Sequence, residues 1–277
     1  MNKDNHTIAE YMVSVQETDP FNRIHLYRLM DYAQDCDGID SARLNMNSVN
    51  LRKQNVVWIL LSLAYRFDDR FPAADEKLIV DTWTRGTRGI RFFRDNRYYR
   101  NVMDEEHCFG AASSEWILAS LDDHMPIRPS HVCDTDEYNK MSDQTVGYLD
   151  KVPNLKPLPE DAEVRKMLRY TVHFGDLDLN NHFHNTHYAR LAIDAAVRYL
   201  TMDPSSTELA IRAFHITFIK EVLYGEELVV CVSPDPSNES VLRIEGRVEK
   251  PGMLGEPSFR ADLTYSLISR SMCCSEG

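Results

Sequence analysis

Residues 76–80 have the sequence Glu-Lys-Leu-Ile-Val, and residues 226–230, 150 positions further along, have the sequence Glu-Glu-Leu-Val-Val. Each segment begins a strand that follows a long apolar strand and a tight turn. Chance similarity between two strands would be hard to exclude from this pair alone. The surrounding pattern also repeats, because each half has a short strand, a polar loop, an amphipathic helix and several strands in the same order.

One helix is predicted in each half, from about Ile24 to Ala42 and from about Asn185 to Leu200. The second helix carries a clean apolar stripe at helical spacing, which needs a sheet to cover it. The clearest strand is predicted from Val57 to Phe67, where apolar residues occupy every second position. The sequence therefore predicts an α+β protein of two units, each with an antiparallel sheet wrapped around one helix.

The other strands are predicted at 11–16, 77–84, 90–99, 109–121, 168–174, 211–222, 227–233, 241–250 and 258–269. Between the halves, residues 122–163 are polar and contain Pro126, Pro129, Pro153, Pro157 and Pro159. Such a stretch is typical of a connection with little regular structure. We expect a first unit at 1–130, a linker at 131–163 and a second unit at 164–277.

Composition excludes several classes of protein. The net charge of −12 argues against nucleic acid as the main partner, because phosphate binding needs a basic surface. No segment approaches the roughly 20 apolar residues of a membrane span. The polar start resembles neither a signal nor a transit peptide, so a cytoplasmic location is expected. The six cysteines form no CxxC pair, which indicates reduced thiols rather than disulfides or zinc ligands.

The densest polar segment is the predicted loop at 175–185. In it Asp178, Asn180 and His182 are spaced by two, so an extended backbone would turn all three side chains to one side. The alternative is that these residues only cap and turn the chain before a helix. Glu221 is predicted at the end of the strand at 211–222, where the alternative is an ordinary strand-end glutamate.

A metal site is the other interpretation of this loop. His182, His184 and His187 form HxHxxH, which approaches the HxHxDH pattern of metallo-β-lactamase-like hydrolases. Thr186 stands where the aspartate ligand belongs, and only His215 follows among the histidines. We therefore expect no metal and no other cofactor.

Several segments together resemble the acyl-acyl-carrier-protein (acyl-ACP) thioesterases of plants and bacteria, over about residues 8–270. The C-terminal half contains Asp-Leu-Asp-Leu-Asn-Asn-His at 176–182, similar to the family's DLDxNxH signature, and Phe-Ile-Lys-Glu at 218–221. The N-terminal half contains Val-Trp-Ile at 57–59, Asp-Arg-Phe-Pro at 69–72, Val-Asp-Thr-Trp at 80–83 and Ala-Ser-Ser-Glu-Trp at 112–116. The resemblance implies two tandem hotdog domains.

The resemblance also implies a catalytic set, namely Asp178, Asn180, His182 and Glu221. The loop at 19–23 has no NxH, and the offset of 150 places Phe71 opposite Glu221, so one active site per chain is expected. A cysteine often follows the family's glutamate. Val222 stands there in this chain, which argues against a cysteine nucleophile. The nucleophile stays open between water and Asp178.

The implied reaction is hydrolysis of fatty acyl-ACP to free fatty acid and holo-carrier protein, with the acyl tail beside the first helix. An acyl-CoA thioesterase of the same fold and a non-catalytic acyl-binding hotdog are the alternatives. A tandem hotdog already contains the pairing that single hotdogs make by dimerising, so the chain is expected as a monomer or a homodimer.

Docking of the acidic carrier protein is expected on a row of arginines. Arginine recurs at every third position from Arg85 to Arg100, and Arg88 and Arg94 are the candidates for docking. A period of three alternates between the faces of a strand, so only about half of the row can share one surface. The alternative is a solvated hairpin with internal ion pairs.

Overall fold

The computed structural model describes residues 5–158, 165–250 and 253–270. Residues 159–163 of the expected linker, the expected first residue of the second unit at 164, and Cys273 and Cys274 lie outside this range. The described residues form two compact units. The first comprises the chain up to Glu17 together with Arg28–Pro153, and the second comprises Thr18–Tyr27 together with the described residues from Asn154 onward.

The observed division of the chain differs from the expected boundaries in two places. Residues 131–153 belong to the first unit because they are hydrogen-bonded to its strands. The indole N–H of Trp83 donates to the carbonyl of Thr145 at 2.9 Å. Residues 18–27 belong to the second unit, where Arg23 pairs with the buried carboxylate of Glu208. Sequence spacing alone does not indicate that residues 18–27 belong to the second unit.

The first unit contains six strands, two short helices and most of a third, longer helix. The strands are β1 (Thr7–Met12), β2 (Val56–Phe67), β3 (Lys77–Arg88), β4 (Arg91–Arg100), β5 (Cys108–Ser120) and β6 (Pro126–Ile127). They pair antiparallel in the order β1-β3-β4-β5-β2, with β6 beside β5. The helices are α1 (Leu26–Arg43), α2 (Ser48–Arg52) and α3 (Thr135–Lys140). The strand predicted at 11–16 is wrong in position, because Val15–Glu17 forms a 3₁₀ turn.

The second unit repeats this plan with one complete α-helix among its described residues. Its strands are β7 (Arg165–Thr171), β8 (Thr207–Phe218), β9 (Glu227–Asp235), β10 (Asn238–Lys250) and β11 (Met253–Ser269). They pair antiparallel in the order β8-β11-β10-β9-β7. Helix α4 (Asn185–Tyr199) packs on β7, β9 and β10. Across the described residues, no helix is both long and apolar enough to cross a membrane.

The two long helices bury different kinds of side chain. Helix α4 buries the stripe expected from its sequence, including Tyr188, Leu191 and Ala195. Helix α1 buries apolar residues only in its first turns and then buries carboxylates. Asp37 accepts hydrogen bonds from Thr82 at 2.6 Å and from Asn96 at 2.8 Å. The interior of the first unit therefore contains a polar network that the apolar stripe did not predict.

The duplication is visible in hydrogen bonds as well as in sequence. The Oε2 atom of Glu76 accepts a hydrogen bond from the amide of Ala73 at 2.8 Å. The Oε2 atom of Glu226 accepts one from the amide of Leu223, also at 2.8 Å. These residues are related by the same offset of 150, and each glutamate holds the turn before the third strand of its unit. Chance similarity between two strand sequences does not account for a matched side-chain bond.

A buried histidine holds β1 on the first unit. His6 Nδ1 lies 2.7 Å from Asp81, its Nε2 lies 3.3 Å from Asp143, and its ring stacks on Trp83 at 4.5 Å. Only 4% of its side chain is exposed. Burial by itself would lower the pKa of His6, but hydrogen bonds and the charges of both carboxylates outweigh burial and raise it.

We predict that His6 stabilises the fold most at acidic pH. Because its folded pKa is raised, the contribution is complete below the unfolded value of about 6.5 and is lost as pH rises through the folded value. The difference in free energy of unfolding between the wild type and His6→Gln should shrink as pH rises above about 6.5, measured by urea denaturation. His107→Gln, at an exposed His–Asp pair, is the control. An equal pH response of both variants would contradict this role.

Candidate functional site

The polar loop before α4 is a tight turn rather than an extended segment. The amide of Asp178 donates to the carbonyl of His182 at 2.8 Å, and the amide of Asn181 donates to the carbonyl of Asp178 at 3.1 Å. Asn181 has a left-handed φ of 60°, which Asn tolerates better than most residues. Of the two interpretations of this segment, the extended backbone with Asp178, Asn180 and His182 on one side is therefore not the one observed.

The reason lies in the side chain of Asp178. Its Oδ1 atom accepts hydrogen bonds from the amides of Asn180 at 2.7 Å and His182 at 3.1 Å. An aspartate that binds its own downstream backbone closes a turn. The capping alternative thus applies to Asp178, and the resulting turn places Asp178 and His182 opposite each other at its base.

Glu221 lies in the segment that follows β8. This strand ends at Phe218 rather than at Val222 as expected. The amide of Phe183 donates to the carbonyl of Val222 at 2.8 Å, and His182 forms an antiparallel bridge with Leu223. These backbone contacts join the turn to the strand end, although they are about 40 residues apart in sequence.

The joined backbones bring together two of the predicted residues. His182 Nε2 lies 3.2 Å from Glu221 Oε2, and the two side chains are 21% and 42% exposed. An imidazole and a carboxylate at this distance can pass a proton between them or hold a water molecule for attack. The pair is open to solvent, as a hydrolytic site requires.

The other two histidines of HxHxxH have separate partners. His184 Nδ1 lies 2.9 Å from the hydroxyl of Thr186, at the start of α4. His187 Nδ1 lies 3.4 Å from Asp176. Since His182 faces Glu221, the three rings are directed at three different groups, and this arrangement gives no support to a shared metal.

Asp176 is a residue of the site that the sequence analysis missed. Its buried carboxylate accepts hydrogen bonds from the Tyr170 hydroxyl at 2.8 Å and from the His173 amide at 2.9 Å, and it faces Arg190. Burial would raise the pKa of Asp176, but these donors and the nearby cations lower it overall. Its carbonyl also accepts from the His184 amide at 2.9 Å. Asp176 therefore fixes both ends of the loop, and the signal for it in the sequence was its place as the first aspartate of the segment at 176–182.

The first amides of α4 are largely occupied. The Thr186 amide contacts His184 Nδ1 at 3.4 Å, and the His187 amide donates to the His184 carbonyl at 3.0 Å. Helix N-termini often polarise a substrate carbonyl through unused N–H groups, and these two amides are already engaged with His184.

A thiolate nucleophile is also disfavoured. Val222, the residue after Glu221, has no thiol, is fully buried and accepts a hydrogen bond from the Phe183 amide through its carbonyl. Burial raises the pKa of each described cysteine, namely Cys36, Cys108, Cys133 and Cys231. Thiols with raised pKa values are poor nucleophiles at neutral pH.

The predicted docking residues lie in different environments. Arg88 has 50% of its side chain exposed and pairs with Asp150 at 2.9 Å. Arg94 is buried, with only 8% of its side chain exposed, and its Nη2 lies 2.8 Å from Asp40. The prediction that Arg94 contacts a carrier protein is therefore wrong, because its side chain faces the carboxylates of Asp37 and Asp40 in α1.

The remaining arginines of the row form internal ion pairs, as the alternative interpretation proposed. The pairs are Arg85 with Asp95, Arg91 with Glu115, Arg97 with Glu105 and Arg100 with Glu76.

We predict that Arg94→Met weakens the fold rather than substrate binding. Burial would raise the pKa of Asp40, but Arg94 and further hydrogen bonds lower it, so removal of Arg94 leaves a buried carboxylate without its main cation. The free energy of unfolding should fall by about 3–5 kcal/mol in urea denaturation. Arg88→Met, at an exposed pair, should change it by less than about 1 kcal/mol. Similar losses in both variants would contradict this assignment.

Comparison with known proteins agrees with the fold. The model of the acyl-ACP thioesterase N-terminal domain matches residues 4–134, and that of the C-terminal domain matches residues 159–258. No curated protein matches the chain by sequence.

Among solved structures, the chain is similar to an acyl-ACP thioesterase from Bacteroides thetaiotaomicron, with 19% identity and a TM-score of 0.77 over 96% of this chain and 100% of that chain. It is also similar to the 12:0-ACP thioesterase from Umbellularia californica, with 14% identity and a TM-score of 0.77 over 95% and 98%. A putative oleoyl thioesterase from Lactobacillus plantarum has 15% identity and a TM-score of 0.72 over 96% and 97%. The tandem hotdog fold is thus confirmed, and the chain belongs to the acyl-ACP thioesterase family of thioester hydrolases.

Proposed function

We propose that this protein hydrolyses the thioester between a fatty acyl chain and acyl carrier protein, and so ends fatty acid synthesis by releasing free fatty acid. Membership of the family supports the reaction class. The single observation that carries the proposal is the solvent-accessible pair of His182 and Glu221, held 3.2 Å apart by backbone contacts.

The chemistry needs one activated water and a leaving thiolate. The pair of His182 and Glu221 takes a proton from water as the water oxygen attacks the thioester carbonyl. The tetrahedral intermediate then collapses, the carbon–sulfur bond breaks, and the thiolate takes up a proton. Asn180 does not titrate, so its role is to position water or substrate. Attack by Asp178 is the alternative first step.

We expect thiol release from acyl-ACP to be fast in the wild type and reduced by about 10²–10⁴-fold in His182→Ala and Glu221→Gln, because each change removes one partner of the proton-transfer pair. The measurement is thiol release from a panel of acyl-ACPs and matched acyl-CoAs of increasing chain length. His107→Ala, an exposed histidine of the first unit, should leave the rate unchanged.

The panel also separates the alternatives. A preference for acyl-CoA would retain the reaction and change the carrier. The absence of release from both carriers would favour a non-catalytic acyl-binding module. Full activity in His182→Ala and Glu221→Gln would show that the site lies elsewhere.

Arg88 remains our candidate for carrier docking, because it is exposed and the carrier is acidic. We expect Arg88→Glu to raise the KM for acyl-ACP by about 5- to 10-fold, with no change for a short thioester mimic that lacks the carrier protein. Arg169→Glu is the matched control, since Arg169 is a similarly exposed arginine of the second unit that also pairs with carboxylates. An equal rise for both substrates, or in both variants, would remove Arg88 from the docking surface.

A further inference from the structure

The loop of the first half contains a second copy of the turn at the site. The amide of Asp19 donates to the carbonyl of Arg23 at 2.8 Å, and the amide of Asn22 donates to the carbonyl of Asp19 at 2.9 Å. In the turn at Asp178 the same two bonds measure 2.8 and 3.1 Å. Asn22 has a φ of 57°, close to the 60° of Asn181. The two turns therefore share one backbone conformation.

The aspartate at the head of each turn makes the same side-chain bonds. Asp19 Oδ1 accepts hydrogen bonds from the amides of Phe21 at 2.9 Å and Arg23 at 3.0 Å. Asp178 Oδ1 accepts from the amides two and four residues later, at 2.7 and 3.1 Å. Each carboxylate thus shapes the turn that it begins.

The groups capable of chemistry are absent from the first copy. Phe21 stands at the place of Asn180, and Arg23 stands at the place of His182. The guanidinium of Arg23 pairs with Glu208 and with Asp19, so it serves as part of a buried ion network. The first turn keeps the aspartate although it has no residue equivalent to His182 or Asn180. What both turns require of the aspartate is therefore closure of the turn and not a bond-making step.

We propose that Asp178 is a positioning residue, whose carboxylate closes the turn that holds His182 opposite Glu221, and that water rather than Asp178 attacks the thioester. This inference rests on the proposed function. Asp178 Oδ1 accepts both of the side-chain hydrogen bonds that close the turn. Formation of an acyl anhydride would turn this carboxylate into a neutral, weaker acceptor at the moment when His182 must stay in place.

Asparagine and alanine at position 178 distinguish the two roles. The amide oxygen of Asp178→Asn accepts the same two backbone bonds but forms no anhydride and accepts no proton as a base. We expect kcat to fall by less than about tenfold, because neutral acceptors are weaker than charged ones. Asp178→Ala loses the cap, and kcat should fall by about 100-fold or more, with a smaller change in KM. The pH profile of Asp178→Asn should match that of the wild type.

Asp19→Ala is the internal control for simple destabilisation. It removes the same cap from the matching turn and also the ion pair with Arg23, so its loss of thermal stability should be at least that of Asp178→Ala, whereas its kcat should stay within about twofold of the wild type. Amide hydrogen exchange at Asn180 and His182 should accelerate in Asp178→Ala and not in Asp178→Asn. This measurement does not depend on activity.

Hydrolysis in ¹⁸O-labelled water completes the test. We expect the label in the released fatty acid and none in the carboxyl group of Asp178 during a single turnover. Label in Asp178, a loss of about 10⁴-fold or more in Asp178→Asn, or unchanged exchange in Asp178→Ala would overturn the inference. A wild type that releases no thiol would instead overturn the proposed function, while the exchange measurement would still decide whether Asp178 closes the turn.

Discussion

The site depends on one short stretch of backbone pairing, in which the Phe183 amide binds the Val222 carbonyl and His182 pairs with Leu223. Without this pairing the turn and the end of β8 would be independent loops, and the approach of His182 to Glu221 would depend on two flexible side chains. Backbone bonds of this kind hold main-chain positions closely, and side-chain rotamers then need to supply only the last few ångströms. The buried carboxylate of Asp176 anchors the same loop from its other end.

The sequence predicted the features that follow from local periodicity. The parity of apolar residues at 57–67 corresponds to β2 at Val56–Phe67, and the stripe at 185–200 corresponds to α4 at Asn185–Tyr199. The repeated segment at 76 and 226 indicated the duplication correctly. These features are encoded within a few neighbouring residues, so they can be derived without knowledge of tertiary contacts.

Features that depend on distant partners were not accessible in the same way. A spacing of two fits both an extended strand and an aspartate-capped turn, and only the hydrogen bonds of Asp178 decide between them. Arg88 and Arg94 are six positions apart and so have the same parity, but they lie on different strands, β3 and β4, and the pattern does not say which of the two side chains is buried. The carboxylates of α1 determine that Arg94 is the buried one, since Asp37 and Asp40 need a cation inside the first unit. The place of residues 18–27 in the second unit was not predictable either, because it depends on Glu208, which is more than 180 residues away from Arg23 in sequence.

The exposure of the pair at His182 and Glu221 has a consequence for the fate of the acyl group. Thioesters can pass their acyl group to alcohols, amines and other thiols, and an enzyme directs the transfer by excluding water and binding one acceptor. Here the glutamate has 42% of its side chain in contact with solvent. Solvent water therefore reaches the pair directly. The open geometry favours hydrolysis over transfer of the acyl group to another acceptor.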